Sequence, residues 1–289
     1  FLWVLLFYFM TGLWIWKKNG QNRHIRISLA YVIMIILIWI PMARRKSLAF
    51  LDVGQGDCFV ADTKSGAIIF DGGSSSEDQV GRYRILPYMK YLGYQKIQIA
   101  VISHMDIDHY SGIKELLERG KIKYLGLPEI PKDETMKKII GIAKKRGTTI
   151  FYLSRGRQIT TKDGSLKVLH PQKNSQMEKN AASLVMQGKI LGYRVLLTGD
   201  VEKEGEEELL SEELERADIL KAAHHGSKNS TSNEFLQKVQ PKQTVISCGK
   251  QNRYGHPHLE TIHRLQTYRT KIYRTDRSGA IIFFKRRDG

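Results

Sequence analysis

From residue 47 onward, apolar residues fall in short runs of four to seven, separated by glycine and polar turns, a pattern that predicts strands alternating with helices. Residues 48–53, 58–62 and 67–70 are three such runs, broken by Gly54-Gln55-Gly56 and Ser65-Gly66, and read as a meander. The spacing then predicts a helix over 78–92, a buried strand over 97–103, a helix over 111–119, a strand over 121–127 and a helix over 133–146. Strands follow over 149–153 and 165–169, then a hairpin of 182–189 and 193–197 turning at Leu191-Gly192. The second half continues with a helix over 202–214, a strand over 218–223, a helix over 233–239, a strand over 243–247, a helix over 259–268 and strands over 271–273 and 279–285. Mixed strands with amphipathic helices imply an α/β layered sandwich with the helices outside.

Before residue 47 the pattern is different. Residues 1–16 and 27–42 are apolar runs free of charge. A bilayer span needs about 17–20 residues. The first run opens without Met and reads as cut at its N-terminus, and the second reaches the required length if Ile25 joins it while Arg26 snorkels. All four tryptophans (Trp3, Trp14, Trp16 and Trp39) lie here, as suits membrane interfaces. The expected organisation is two transmembrane helices over 1–46 and a globular domain over 47–289. The loop at 17–26 carries four basic residues against three in the exit segment 44–46, so the positive-inside rule keeps the loop in the cytoplasm and the domain outside it.

Composition adds two constraints. With only Cys58 and Cys248 there is no disulfide framework and no cysteine-rich zinc ribbon, so a metal here must be held by His, Asp or Asn. The formal net charge is +17, and a surplus of 10 basic residues remains on 47–289 once the seven Lys/Arg of 1–46 are set aside. Such a surplus favours a polyanionic partner, whether nucleic acid, teichoic acid or a lipid surface.

The candidate chemistry sits at predicted strand ends. His104-Met-Asp106-Ile-Asp108-His109 places four potential ligands in six residues after a strand, and a tight loop there can converge them on two neighbouring divalent ions. Asp200 ends a later strand, and His224-His225-Gly226-Ser227 follows another. Asp57 and Asp71 stand at the ends of early strands as acceptors for imidazole N–H groups. Tyr254-Gly-His256-Pro-His258 offers two imidazoles on a proline-stiffened loop, suited to holding a phosphate or protonating a leaving oxygen. Ser227, Lys228 and Ser230 are further candidates to meet phosphate, while the two cysteines read as inert core.

The ordered clusters resemble the metallo-β-lactamase superfamily, whose common pattern is His-x-His-x-Asp-His, a later His, a bridging Asp and a final His. The resemblance runs from Ser47 to the C-terminus and implies an αββα sandwich with two divalent ions at one edge. A closer match comes from seven motifs: Phe50-Leu-Asp-Val-Gly-Gln-Gly-Asp57, Asp71-Gly-Gly73, His104 to His109, Asn180-Ala-Ala-Ser-Leu-Val185, Thr198-Gly-Asp200, His224-His-Gly-Ser227 and Asn252-Arg-Tyr-Gly-His-Pro-His258. Together they resemble the C-terminal domain of the ComEC competence proteins, bacterial membrane proteins that pass transforming DNA into the cell. By that resemblance one ion is held by His104, Asp106, Asp200 and Asn180, and the other by Asp108, His109, Asp200 and His225, with His224 behind or facing substrate. Asp106 and Asn180 stand where the superfamily has His. This harder donor set favours Mn²⁺ or Mg²⁺, with Zn²⁺ as the alternative.

The resemblance implies a membrane-anchored, metal-dependent phosphodiesterase of the DNA uptake machinery that degrades the strand not imported. Its catalytic residues are Asp108, Asp200, His256 and His258. Its partners are DNA without sequence preference, the membrane, the rest of the uptake channel and other competence proteins. A phosphorylcholine-esterase-like phosphoester hydrolase and a non-catalytic DNA-guiding module are the alternatives, and β-lactam hydrolysis suits the oxygen-rich donors least.

Overall fold

The structure is a computed structural model that describes residues 6–9, 11, 29, 31–32, 45–177, 180–212 and 214–286. The chain divides after Arg45 into two units, Phe1–Arg45 and Lys46–Gly289. The two expected membrane helices lie almost wholly outside the described residues, and among the described residues no helix is long and apolar enough to cross a membrane.

Two seven-stranded sheets carry the second unit. The first contains β1 (Ser47–Phe50), β2 (Phe59–Thr63), β3 (Gly66–Phe70), β4 (Ile97–Val101), β5 (Ile122–Pro128), β6 (Thr149–Leu153) and β14 (Ile281–Phe284), in the order β14-β1-β2-β3-β4-β5-β6. The other contains β7 (Gln158–Thr161), β8 (Gly164–His170), β9 (Val185–Ile190), β10 (Tyr193–Leu197), β11 (Ile219–Lys221), β12 (Gln243–Ile246) and β13 (Lys271–Arg274), in the order β13-β12-β11-β10-β9-β8-β7. Each sheet is antiparallel over one half and parallel over the other: β3 to β6 run parallel, as do β10 to β13.

Strand alternation explains the layering. On β1, Leu48 and Phe50 join the core between the sheets, whereas Ala49 joins the core under the first pair of layers. On β10, Val195 and Leu197 face the first sheet and Leu196 faces helices. Successive side chains point to opposite faces, so strands covered on both sides must be apolar throughout, which is why these runs read as continuous. Helices α1 (Leu86–Tyr91, entered through a π turn at Gly81–Ile85), α2 (Ile107–Glu118) and α3 (Glu134–Lys145) supply Met89, Ile113, Leu116 and Ile139 to the outer core of the first sheet. Against the second sheet, α4 (Lys203–Leu210), α5 (Asn233–Val239) and α6 (Leu259–Thr267) supply Leu209, Phe235 and Leu265. The result is an αββα sandwich, as the resemblance implies.

Four elements differ locally from the sequence reading. Helix α2 begins at Ile107, so Asp108 and His109 occupy its first turn and Asp106 takes the extended N-cap position, rather than all four ligands lying in a loop. Strand β7 was missed because only Ile159 of Gln158–Thr161 is buried. A short helix, α7 (Thr275–Ser278), links β13 in the second sheet to β14 in the first. Helix α4 ends at Leu210, four residues before the expected end.

Candidate metal centre

The polar residues expected to carry chemistry follow the carboxyl ends of β3, β4, β10, β11 and β12, where an α/β sheet opens a crevice. Asp71 adopts a left-handed backbone (φ 57°), tolerated by Asp better than by most residues. Its carboxylate is thereby turned inward, Oδ1 accepting from Ser103 N at 2.7 Å and Oδ2 from His109 Nδ1 at 2.9 Å. Gly73 must lack a side chain, because a Cβ would fall 2.5 Å from His109 N. The Asp-Gly-Gly turn therefore packs directly beneath the start of α2.

Four imidazoles of the cluster spend Nδ1 on the protein. His109 donates to Asp71, His225 Nδ1 donates to Ser247 O at 2.9 Å, His224 Nδ1 donates to Glu202 Oε1 at 2.8 Å, and His104 Nδ1 pairs with Ser103 Oγ at 3.0 Å. The carbonyl and carboxylate partners of His109, His225 and His224 accept only, so these rings keep a proton on Nδ1, and Nε2 is the atom from which a bound cation would displace a proton. The Nε2 atoms of His104, His109 and His225 are buried without a hydrogen-bond partner. Two of them converge on one carboxylate oxygen: Asp200 Oδ2 lies 3.2 Å from His109 Nε2 and 3.3 Å from His225 Nε2, with His224 Nε2 at 3.8 Å. Asp108 Oδ2 is 3.3 Å from His225 Nε2, and Asp106 Oδ2 is 3.6 Å from His104 Nε2. Donors about 2.1 Å from a shared ion stand about 3–3.5 Å apart. Orphaned Nε2 atoms at this spacing around carboxylates fit a divalent cation.

Behind the donors lies a second tier. Asp57 approaches His109 and His225 from their Nδ1 sides, at 3.7 Å each, and belongs to a buried Asp57, His109, Asp200 and His225 group whose donor atoms all lie within 4.8 Å. Lys221, buried at the end of β11, pairs with Asp57 Oδ2, lies 3.4 Å from Asp200 Oδ1 and donates to Gly199 O at 2.9 Å. The two oxygens of Asp200 are thus divided, Oδ1 toward Lys221 and Oδ2 toward the imidazoles. Sequence reasoning missed Lys221 and Glu202. A lysine at a strand end usually reads as a solvated charge, and only its place in an otherwise apolar Ile219-Leu-Lys-Ala-Ala run hinted at burial.

The charges reinforce one another. Burial opposes ionisation of Asp108, but the hydrogen bond from His225 and the charges of His109 and His225 hold its carboxyl at about 2. Asp200 is likewise held well below the usual carboxylate range: burial resists, and His109, His225 and Lys221 prevail. Burial resists protonation of His225 too, yet Asp200 and Asp57 push it up to about 10. His256 moves the other way, down to about 4, through burial and then repulsion from His225 and His224.

A pocket of about 380 Å³ opens over the donors, lined by Gln55, Ser75, Asp106, Ile107, Asp108, Asp200, His224, His225, Tyr254 and His256. The His256 ring stacks on Tyr254 (centroids 5.7 Å apart, 22° between planes), and the Arg253 guanidinium lies 4.9 Å from the Tyr254 ring centre. His258 stands behind His256, with ring centroids 5.0 Å apart, and its Nδ1 accepts from Lys228 N at 3.2 Å. Ser227 and Ser230 are buried, and their oxygens serve the loop itself: Ser230 Oγ donates to Ala223 O, and Ser227 O accepts from Thr261 Oγ1. Lys228 is exposed. Asn180 is held by its carbonyl, which accepts from Ser183 N at 3.0 Å; among the described residues its side chain makes no hydrogen bond to the cluster.

Residues 51–250 match the metallo-β-lactamase superfamily, and the chain belongs to it. Two competence-related relatives narrow the comparison. ComE operon protein 3 of Bacillus subtilis (strain 168) is 35% identical over 294 residues, covering 94% of this chain and 38% of that protein. Competence protein ComA of Neisseria gonorrhoeae is 30% identical over 248 residues, covering 82% of this chain and 32% of that protein. The chain thus spans about a third of the length of these relatives, and the ComEC resemblance of the seven motifs extends over most of it. Among solved structures, the metallo-β-lactamase fold protein YhfI from Bacillus subtilis shares the fold at a TM-score of 0.56 and 13% identity, covering 82% of this chain and 99% of that one.

Proposed function

We propose that the chain is the hydrolase part of a ComEC-type DNA uptake protein, a metal-dependent phosphodiesterase that cleaves DNA with little sequence preference and degrades the strand not imported. The observation that carries this reading is the set of orphaned imidazole Nε2 atoms at donor spacing from carboxylates, beside a pocket that has Asp106, Asp108, Asp200, Tyr254 and His256 in its wall. The names of the two relatives supply the DNA-uptake setting. Residues 1–46 anchor the protein in the bacterial membrane, and the domain lies outside the cytoplasm, where the basic surplus holds a phosphate backbone electrostatically.

His104, Asp106, Asp108, His109, Asp200 and His225 would hold two divalent ions, which when bound neutralise phosphoryl charge and lower the pKa of water. The chain contributes the rest. Asp71 and Ser247 O fix the tautomers of His109 and His225, so their lone pairs are aimed before substrate arrives. Asp57 and Lys221 hold Asp200 in place from behind. His256 is held neutral by burial and by neighbouring imidazoles, and an arriving phosphodiester reverses that balance, because an opposite charge favours protonation. It then donates a charge-assisted hydrogen bond to a phosphate or leaving oxygen.

The purified chain, assayed with single- and double-stranded DNA and with a phosphorylcholine ester across a panel of divalent metals, tests the proposal. DNA cleavage abolished by chelator is the expected result. Hydrolysis of the choline ester with intact DNA would replace the nuclease by the phosphorylcholine-esterase-like reading. Binding of DNA without any hydrolysis would leave a DNA-guiding module.

A further inference from the structure

The geometry points to His224, held by Glu202, as a fourth imidazole donor to the metal centre, supplying a nitrogen where Asp106 and Asn180 provide only amide or carboxylate groups. This inference rests on the reading of the pocket as a metal centre. Three observations carry it. The Nδ1 of His224 donates to Glu202 Oε1 at 2.8 Å, which fixes the tautomer and leaves Nε2 as the donor atom, the same arrangement that Asp71 imposes on His109. That Nε2 lies 3.8 Å from Asp200 Oδ2, the oxygen that His109 and His225 already face, so a closure of a few tenths of an ångström brings it into donor spacing.

The backbone gives the third observation. Consecutive side chains diverge by about 100° on a helix and point to opposite faces on a strand, so neighbouring residues do not ordinarily aim at one atom. His224 and His225 both adopt left-handed conformations (φ 46° and 52°), and this brings the two Nε2 atoms to the same carboxylate oxygen. Left-handed non-glycine residues are costly and persist where the surroundings fix them. An imidazole serving only a surface ion pair with Glu202 would need no such backbone.

With His224 included, four imidazoles and three carboxylates make up the centre, a set that favours an ion accepting imidazole over Mg²⁺. The experiment is a Zn²⁺ titration of the ¹⁵N-histidine-labelled wild-type chain, followed by the ring nitrogen resonances and by calorimetry. Four imidazoles, His224 among them, are expected to shift at Nε2 and keep Nδ1–H. His224→Ala and Glu202→Ala should weaken the binding of one ion about 10–100-fold, the scale for loss of a ligand's supporting shell. Glu202→Gln, which retains an acceptor for Nδ1–H, should lose less, and Asn180→Ala should match wild type. An unshifted His224 Nε2 while His104, His109 and His225 bind would overturn the assignment, as would Asn180→Ala losing as much as His224→Ala. Should His224→Ala fail to fold, the wild-type resonances decide. Absence of any binding by the wild-type chain would remove the metal-centre reading together with this one.

Discussion

Replacing Lys221 by Met removes the buried cation behind Asp200 and leaves an unbranched apolar side chain one atom shorter. Lys221, Asp57 and Asp200 are each no more than 4% exposed, so water cannot take over the lost pairing. Breaking a buried ion pair from one side costs about 3–5 kcal/mol, a large part of the ~5–15 kcal/mol that stabilises an ordinary domain. At about 2–4 °C per kcal/mol for a domain of this size, Lys221→Met should melt about 6–20 °C below wild type in the presence of chelator. A divalent cation then reveals the coupling. Binding at 100 to 1,000 times Kd stabilises any site by about 2.7–4.1 kcal/mol, and without the Lys221 ammonium the carboxylates attract the ion more strongly. The rise in Tm on adding Mn²⁺ should therefore be larger in Lys221→Met than in wild type. Thermal denaturation of both proteins, with chelator and with saturating Mn²⁺, measures all four terms. An equal Mn²⁺-induced rise in the two proteins would refute the electrostatic coupling. An unchanged Tm in chelator would refute the buried pairing itself.

Other expected outcomes follow from the same geometry. His256→Ala should lower turnover on DNA by about 10²–10⁴-fold and lose less on methyl p-nitrophenyl phosphate, whose leaving group needs little protonation; equal losses would assign His256 to phosphate binding. Tyr254→Ala should raise KM for a single-stranded oligonucleotide about 5–150-fold, the value of one stacked base, with little change for an abasic oligonucleotide; equal effects on the two would exclude stacking. Asp218 accepts from Arg194 N at 3.0 Å and pairs with Lys242 and Arg286; burial raises its pKa, but these partners hold the carboxyl below its ordinary value. Its stabilisation is complete above the unfolded carboxylate pKa and fades as pH falls through the lower folded value. Asp218→Asn should therefore melt below wild type at pH 7, and the gap should shrink toward pH 3. A gap independent of pH would show that the carboxylate charge contributes nothing.

The order of the strands and the clusters of His and Asp at their ends were legible because both are local. Ile97–Val101 is apolar except for Gln98, and the carboxylates and imidazoles follow it within eight residues. What lay outside the sequence's reach was pairing at a distance. Nothing near Ile281–Phe284 indicates that this strand returns to β1, and nothing near Lys221 indicates that Asp57 meets it across 164 positions. The start of α2 was misplaced for a different reason. Asp106 is a suitable N-cap and a suitable ligand at once, and reading it as a ligand hid the helix that begins immediately after it. Glu202 was hidden in a run of acidic residues that reads as a solvated helix start.

The pairing of β1 with β14 also has a mechanical meaning. Ser47, where the chain enters the sheet, lies opposite Phe284, where its last strand finishes, while Phe50 at the other end of β1 leads into the loop that carries Asp57. A pull applied between the flanking segments would open β1 and β14 like a zipper, one rung at a time, instead of loading all rungs together in shear. The attachment points also sit together at the strand end remote from that loop. Tension on the flanks would consequently fray the sheet edge first, leaving the ligand-bearing ends of β3, β4, β10 and β11 among the last parts of the domain to feel the load.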